Sequence, residues 1–278
     1  ILIKIVKAPV RIDFAGGTTD IYPFTKLGGA VLNAAINHYI VGKLVATEKK
    51  VSLEYKTNIP TNSGLGTSGA MNVVWLSLIT NEKNKIRLAE KVYKLEQSQG
   101  FIGGKQDQYA AALGGINFLE FKENKVNVTR LNLKKQLIKE LESSLVLYYT
   151  GKPHFSSSVN KAMITNFIKG KNIKHLIRIR EIAKEMKNAL LKKDLSTFAN
   201  LMNEELKERT KLHKEVTNKK INKLIDLGFK NGAIAAKLCG AGGGGSILFF
   251  CNNKRKLMKK LHCIDFKFDF NGLQWIKS

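Results

Sequence analysis

Pro60-Thr61-Asn62-Ser63-Gly64-Leu65-Gly66-Thr67-Ser68-Gly69-Ala70 is the stretch that decides how this 278-residue chain is read. Glycines at alternate positions let main-chain N–H groups close around an anion, because no Cβ blocks the approach. Two hydroxyl residues follow, which suits phosphate and a hard divalent cation. The apolar segment from Ala70 to Leu78 reads as a buried helix, whose positive dipole end would complete an anion cradle. Two further glycine-rich stretches lie far away, Ala15-Gly16-Gly17-Thr18-Thr19-Asp20 and Cys239-Gly240-Ala241-Gly242-Gly243-Gly244-Gly245. A lone acid in small, neutral surroundings separates the second stretch from the third: Asp107 of Gly103-Gly104-Lys105-Gln106-Asp107-Gln108-Tyr109. The pattern predicts phosphate held beside a carboxylate. No Lys precedes Thr67-Ser68, which excludes a Walker loop. No His-Arg-Asp or Asp-Phe-Gly follows, which excludes the protein-kinase set.

Composition narrows the classes further. With 44% hydrophobic and 25% charged residues, the chain can bury a sizeable core in one large domain or two smaller ones. No run approaches the roughly 20 apolar residues that cross a bilayer. Residues 1–6 read as a strand leading into the first glycine motif, not as a leader. Cysteines at 239, 251 and 263 match no zinc or disulfide spacing, which suits a reducing, cytoplasmic setting. The net charge of +25 is extreme, yet 40 of the 47 basic residues are Lys and only 7 are Arg. A dedicated nucleic-acid reader would favour Arg. The Lys residues are also spread along helical stretches such as 161–193 and 207–230. The charge therefore reads as a solvated surface that also attracts anionic substrates, with no membrane and no specific nucleic acid expected.

Hydrophobic periodicity divides the chain into two halves. In residues 1–150, strands are predicted at Ile1–Val6, Val10–Phe14, His38–Thr47, Val51–Lys56, Gly115–Phe121 and Leu145–Tyr149. An amphipathic helix spans Arg87–Ser98, with Leu88, Val92 and Leu95 on one face. In residues 151–278, helices are predicted at Val159–Ile168, Ile173–Leu191, Leu195–Leu212, Ile221–Leu227 and Lys254–Leu261. Gly232–Gly245 reads as a loop, Ser246–Phe250 as a strand, and Ile264–Phe270 and Leu273–Ile276 as further strands. The outcome is an α+β protein with two lobes.

The three glycine segments, in this order, resemble the motifs of the GHMP kinases. Pro9 through Asp20 is similar to the first motif of that superfamily, Pro60 through Ala70 to its phosphate loop, and Lys237 through Gly245 to its third motif. Gly104 through Phe118 and Arg11 through Asp20 resemble the D-glycero-D-manno-heptose 7-phosphate kinases and their L-fucokinase-like relatives. The segment after Tyr149-Thr150-Gly151, Lys152-Pro153-His154-Phe155-Ser156-Ser157-Ser158, departs from that group. The resemblance implies a two-lobed fold, with a ribosomal-protein-like N-terminal lobe (1–150) and a ferredoxin-like C-terminal lobe (151–278). It further implies transfer of the γ-phosphoryl group of ATP, with Mg²⁺, to a hydroxyl of a sugar or sugar phosphate. A mevalonate-type kinase or an isoprenoid decarboxylase is the alternative within the superfamily, and an RNA-binding module the alternative outside it. Homodimer formation is compatible with either enzyme reading.

Phosphoryl transfer needs in-line positioning, charge neutralisation and a proton acceptor. Asp107 is expected to be the base, with Lys105 beside it and Arg11 orienting it or a phosphate. Pro60, Asn62, Ser63, Gly64, Leu65, Gly66, Thr67, Ser68 and Gly69, backed by Gly242 and Gly243, are expected to hold the nucleotide phosphates. By resemblance Ser68 and Glu96 would hold Mg²⁺, Glu96 preceding Asp107 by 11 residues. Asp20 would accept hydrogen bonds from the acceptor's hydroxyls, with Gly17, Thr18 and Gly104 nearby. If the acceptor carries a phosphate, a second cationic pocket is required, for which Lys105, Lys152 and His154 are the cations available near the motifs.

Overall fold

The computed structural model describes residues 1–151 and 156–276. The first half runs β1 (Leu2–Ala15), β2 (Gly29–Ala46), β3 (Val51–Thr57), α1 (Thr67–Thr80), α2 (Lys85–Ser98), α3 (Gln106–Leu113), β4 (Ile116–Lys122), β5 (Lys125–Arg130) and α4 (Lys135–Ser144). The second runs β6 (Leu145–Tyr149), α5 (Ser156–Ile168), α6 (Ile173–Leu191), α7 (Leu195–Thr210), α8 (Lys219–Lys230), β7 (Ala233–Leu238), β8 (Ser246–Cys251), α9 (Arg255–Met258), β9 (Cys263–Ile264) and β10 (Gln274–Ile276).

Two antiparallel sheets carry these elements. The first is ordered β10-β1-β2-β4-β5, and β2 is long enough to pair twice on its far edge, with β4 through residues 29–34 and with β3 through residues 40–46. The second is ordered β7-β8-β6-β9. Strand β10 pairs with β1, so the last strand of the chain belongs to the first sheet.

Burial explains the layering. Val6, Ala8, Val10, Ile12 and Phe14 recur with the period of two that turns side chains to one face, and all are fully buried. Helices α1 and α3 pack on β1 and β2, α6 also covers β2, and α7 bridges β1 and β7. The principal apolar cluster is continuous across both halves. Phe14 of β1 meets Phe198 of α7 edge to face, with ring centroids 5.3 Å apart. Such a pair adds about 1 kcal/mol beyond its buried area. A second cluster gathers around β7, β8, α6 and α8.

Several boundaries differ from the sequence expectation. Strand β1 is continuous where two strands were expected, because the chain absorbs Pro9 as a register shift between Pro9 and Val10. Strand β2 begins at Gly29, not at His38. The expected loop at Gly232–Gly245 contains β7, whose Ala-Ile-Ala-Ala-Lys-Leu sequence shows no alternation because α7 and α8 cover it. The strand expected over Ile264–Phe270 reduces to the two residues of β9 and an isolated bridge from Phe268 to Ile36.

Candidate active site

The loop at residues 60–69, expected to hold phosphate, owes its shape to glycine. Gly64 and Gly66 have φ of +76° and +71°, a region that a Cβ disfavours, and the turn delivers the chain into α1 at Thr67. The first-turn amides of a helix have no intrahelical acceptor. Thr67, Ser68 and Gly69 of that turn border a cleft, which is also lined by Arg11, Thr18, Asp20, Asn62, Gly64, Gly66, Glu96, Gly104 and Asp107. Predicted residues from three distant segments thus share one cavity.

Asp107 stands in the first turn of α3 and is held by Arg11 of β1. Arg11 Nε and Nη2 both reach Asp107 Oδ1, at 2.8 and 2.7 Å, while Nη1 donates to the Gly64 carbonyl at 2.6 Å. The Arg11 main-chain N–H donates to the Leu65 carbonyl at 2.9 Å. Burial opposes the charge on Arg11, but Asp107 and Asp13 outweigh it and hold the guanidinium above its ordinary pKa. Close packing locks the arrangement, since a Cβ on Gly66 would lie 3.1 Å from Asp107 Cγ and 3.2 Å from Arg11 Cγ.

Two other carboxylates face the cleft. The Asp20 carboxylate accepts from the Gln106 main-chain N–H at 3.0 Å. Burial, reinforced by the charge of Asp107, pushes its pKa up to about 6. Glu96 accepts from Asn72 Nδ2 at 2.7 Å and from Gln108 Nε2. Burial again comes first among the causes that raise it to about 6, with Asp107 adding to it. Glu96 and Ser68 present hard oxygen donors to the same cavity. No group of three or more His, Cys, Asp or Glu side chains suited to a metal exists among the described residues. A cation here would complete its shell with phosphate oxygens and water, which fits Mg²⁺.

The remaining predicted residues are placed elsewhere. Lys105, expected beside Asp107, instead turns its ammonium to both Glu90 oxygens and the Asn124 carbonyl, each at 2.9 Å. Gly242 and Gly243 do not border the cleft, for they pack on Val216 and Glu215, with the Gly243 N–H donating to the Val216 carbonyl at 2.6 Å. Gly240 and Ala241 of the same run line the cavity in their stead. Gly240 and Gly64 touch main chain to main chain, so the third glycine run backs the loop at residues 60–69. Leu65 is buried in the core, and the Ser63 carbonyl accepts from Ser246 Oγ at 2.8 Å. Pro60 is exposed. Gly17 lies behind the cavity against Asp13 and Gln106, and Gly104 abuts the Asp20 carboxylate. Lys152 and His154 lie outside the described residues.

Sequence reading overlooked a buried ionic cluster behind the cleft. Lys237 Nζ bonds Asp13 Oδ2 at 2.8 Å and lies 3.6 Å from Glu205 Oε1, which Arg209 Nη2 meets at 2.5 Å. Asp13 Oδ1 accepts from the Gly240 N–H at 3.1 Å and is 3.7 Å from Arg11 Nη1. Burial works against the Asp13 charge, but Lys237 and Arg11 hold its carboxyl well below the usual range. The available signal was a charge inside an apolar strand: Lys237 between Ala236 and Leu238, Asp13 between Ile12 and Phe14. Nothing local marks Glu205 or Arg209. Asn160 of α5, which lines the cavity and donates to the Ile102 carbonyl at 3.0 Å, was equally unmarked.

Known proteins are similar to this chain in sequence and in fold. Residues 30–115 match the GHMP kinases N terminal domain, and residues 186–266 match the GHMP kinases C terminal model. The chain is 30% identical over 332 residues to the D-glycero-alpha-D-manno-heptose 7-phosphate kinase of Campylobacter jejuni, covering 96% of this chain and 97% of that protein. It is 25% identical to the bifunctional fucokinase/GDP-fucose pyrophosphorylase of Arabidopsis thaliana, over 90% of this chain and 30% of that protein. The crystal structure of a D-glycero-D-manno-heptose 1-phosphate kinase from Bacteroides thetaiotaomicron superposes with a TM-score of 0.80 at 25% identity, covering 100% of this chain and 99% of the other. No helix among the described residues is long and apolar enough to cross a membrane. The chain belongs to the GHMP kinases, with their two-lobed α+β fold, and is an ATP-dependent phosphotransferase that acts on an alcohol group.

Proposed function

We propose that the chain phosphorylates a hydroxyl of a heptose phosphate, or of a sugar phosphate much like it, from MgATP. One observation carries the assignment of the base. A single guanidinium, that of Arg11, grips both the Gly64 carbonyl of the phosphate loop and Oδ1 of Asp107. Loop and carboxylate are therefore held in fixed relation. Because Arg11 occupies Oδ1, Oδ2 is left to accept the proton of the acceptor hydroxyl. The acceptor oxygen then bonds to the γ-phosphorus as the bond to the ADP oxygen breaks. The amides of residues 66–69 neutralise the phosphate oxygens, and Gly240 keeps the loop from receding.

Asp20 is proposed to take the acceptor's hydroxyls, since carboxylates accept from vicinal diols, with Thr18 and Gly104 completing that wall. Ser68 and Glu96 would hold Mg²⁺, which when bound spreads the charge on the transferred group. Arg11 is the single cation among the described residues lining the cleft, and it is committed to Asp107. An acceptor phosphate therefore needs further cations, for which Lys152 and His154 are proposed from their place after Gly151. The division near residue 150 is proposed on the change from the first sheet to the second, with β10 returning. The three free cysteines suit a reducing, cytoplasmic setting.

Turnover on a panel of D-glycero-D-manno-heptose 7-phosphate, L-fucose, mannose and mevalonate tests this reading. The heptose phosphate is expected to give the highest kcat/KM. Preference for mevalonate, or for an unphosphorylated sugar, would overturn the acceptor assignment.

A further inference from the structure

The fully buried Arg209 of α7 stands behind the cleft. Nε and Nη2 bond Glu205 Oε1 at 2.9 and 2.5 Å, Nη2 bonds the Gly17 carbonyl at 2.7 Å, and Nη1 reaches Thr18 Oγ1 at 3.2 Å and the Gly240 carbonyl at 3.3 Å. Thr18 has a left-handed φ of +81° and, with Asp20, forms one wall of the cavity, while Gly240 belongs to the wall that backs the phosphate loop. One planar fork thus joins the turn on the acceptor side to the glycine run on the donor side. A Lys could not reproduce it, having a single nitrogen.

Glu205 fixes that fork from below. It is fully buried, lies 3.6 Å from Lys237, and through Lys237 and Asp13 continues the ionic chain to Arg11 and Asp107. We propose that Arg209, set by Glu205, is a positioning residue for phosphoryl transfer that holds the Gly17–Asp20 turn in register with the donor side. The inference rests on the reading of Asp20 as the acceptor's partner. Misplacing reacting groups by about 1 Å can cost on the order of 100-fold in rate. The nucleotide's own loop keeps its ties to Arg11 and Ser246, so loss of the fork should weaken use of the acceptor more than use of ATP.

The test compares Arg209→Lys, Glu205→Gln and Asp20→Asn with the native enzyme, using ATP and D-glycero-D-manno-heptose 7-phosphate. Folding is followed by thermal melting. Arg209→Lys is expected to lower kcat/KM for the sugar by about 30- to 100-fold, with KM for ATP changed by less than about threefold and more ADP released per sugar phosphorylated. If Arg209→Lys does not fold, Glu205→Gln, which keeps the side chain's shape, is judged by the same split. A folded variant with native sugar kinetics overturns the proposal, as does an equal loss for both substrates at unchanged ADP-to-product ratio. Asp20→Asn separates the two readings. An unchanged sugar KM there would sink the acceptor assignment, whereas a raised one beside a native Arg209→Lys would sink only the positioning role.

Discussion

Gly69 and Asp107 face each other so closely that a Cβ on Gly69 would come within 2.7 Å of the Asp107 Cβ. The first turns of α1 and α3 meet there, and the contact sets how near Asp107, the proposed base, stands to the amides proposed to bind phosphate. Ala is ordinarily the better helix former by about 0.5–1 kcal/mol. Here the order inverts, because neither backbone can yield without moving the carboxylate.

Gly69→Ala is therefore expected to lower kcat by about 10- to 100-fold while the protein stays folded. Steady-state kinetics beside a thermal melt will check it. A variant as active as the native enzyme and more stable would show that the contact is unimportant.

Asp20 makes stability depend on pH. Its folded pKa, about 6, lies above the unfolded value of 3.8, so the folded state holds the proton more tightly. Its stabilising contribution is complete below the unfolded pKa and is lost as pH rises through about 6. Asp20→Asn should thus raise the melting temperature at pH 7.5 and leave it nearly unchanged at pH 4. Equal effects at both pH values would contradict the burial of an ionised carboxylate.

The glycine motifs were legible because their demand is local. A left-handed turn such as Gly64 or Gly66, and a helix start at Thr67, are written in adjacent residues. Helix α6 was legible from its apolar period and strand β6 from an unbroken apolar run, both local signals. Strand β7 was hidden because a run of Ala covered by helices carries no alternation. The partners of Lys237 and Arg209 were hidden by distance: Lys237 lies 224 residues from Asp13, and Arg209 lies 192 from Gly17. Proximity to Asp107 in sequence misled the reading of Lys105, since a residue that opens a helix can point away from its neighbour's cavity.

Lys105→Met follows from that correction. The ammonium is bonded to Glu90, with the Tyr93 ring at 4.9 Å, and Lys105 does not line the cleft. The substitution should cost about 1–3 kcal/mol of stability and leave kcat within a few-fold of native, as denaturant titration and kinetics will report. A large fall in kcat in a folded variant would return Lys105 to the active site.

Glu96→Gln preserves the shape of the side chain and removes its charge. The Mg²⁺ concentration for half-maximal rate should rise by about tenfold or more, and Asn72→Ala, which frees one Glu96 oxygen, should act in the same direction. An unchanged magnesium requirement in both variants would remove Glu96 from the metal site.

The proposed base offers the most direct measurement: single-turnover phosphoryl transfer by Asp107→Asn, with ATP affinity determined on the same protein. Asparagine can still accept a bond from Arg11 but cannot take the hydroxyl proton. The expected result is transfer slowed by at least about 100-fold with ATP bound as tightly as by the native enzyme. Transfer at the native rate would contradict the assignment of Asp107.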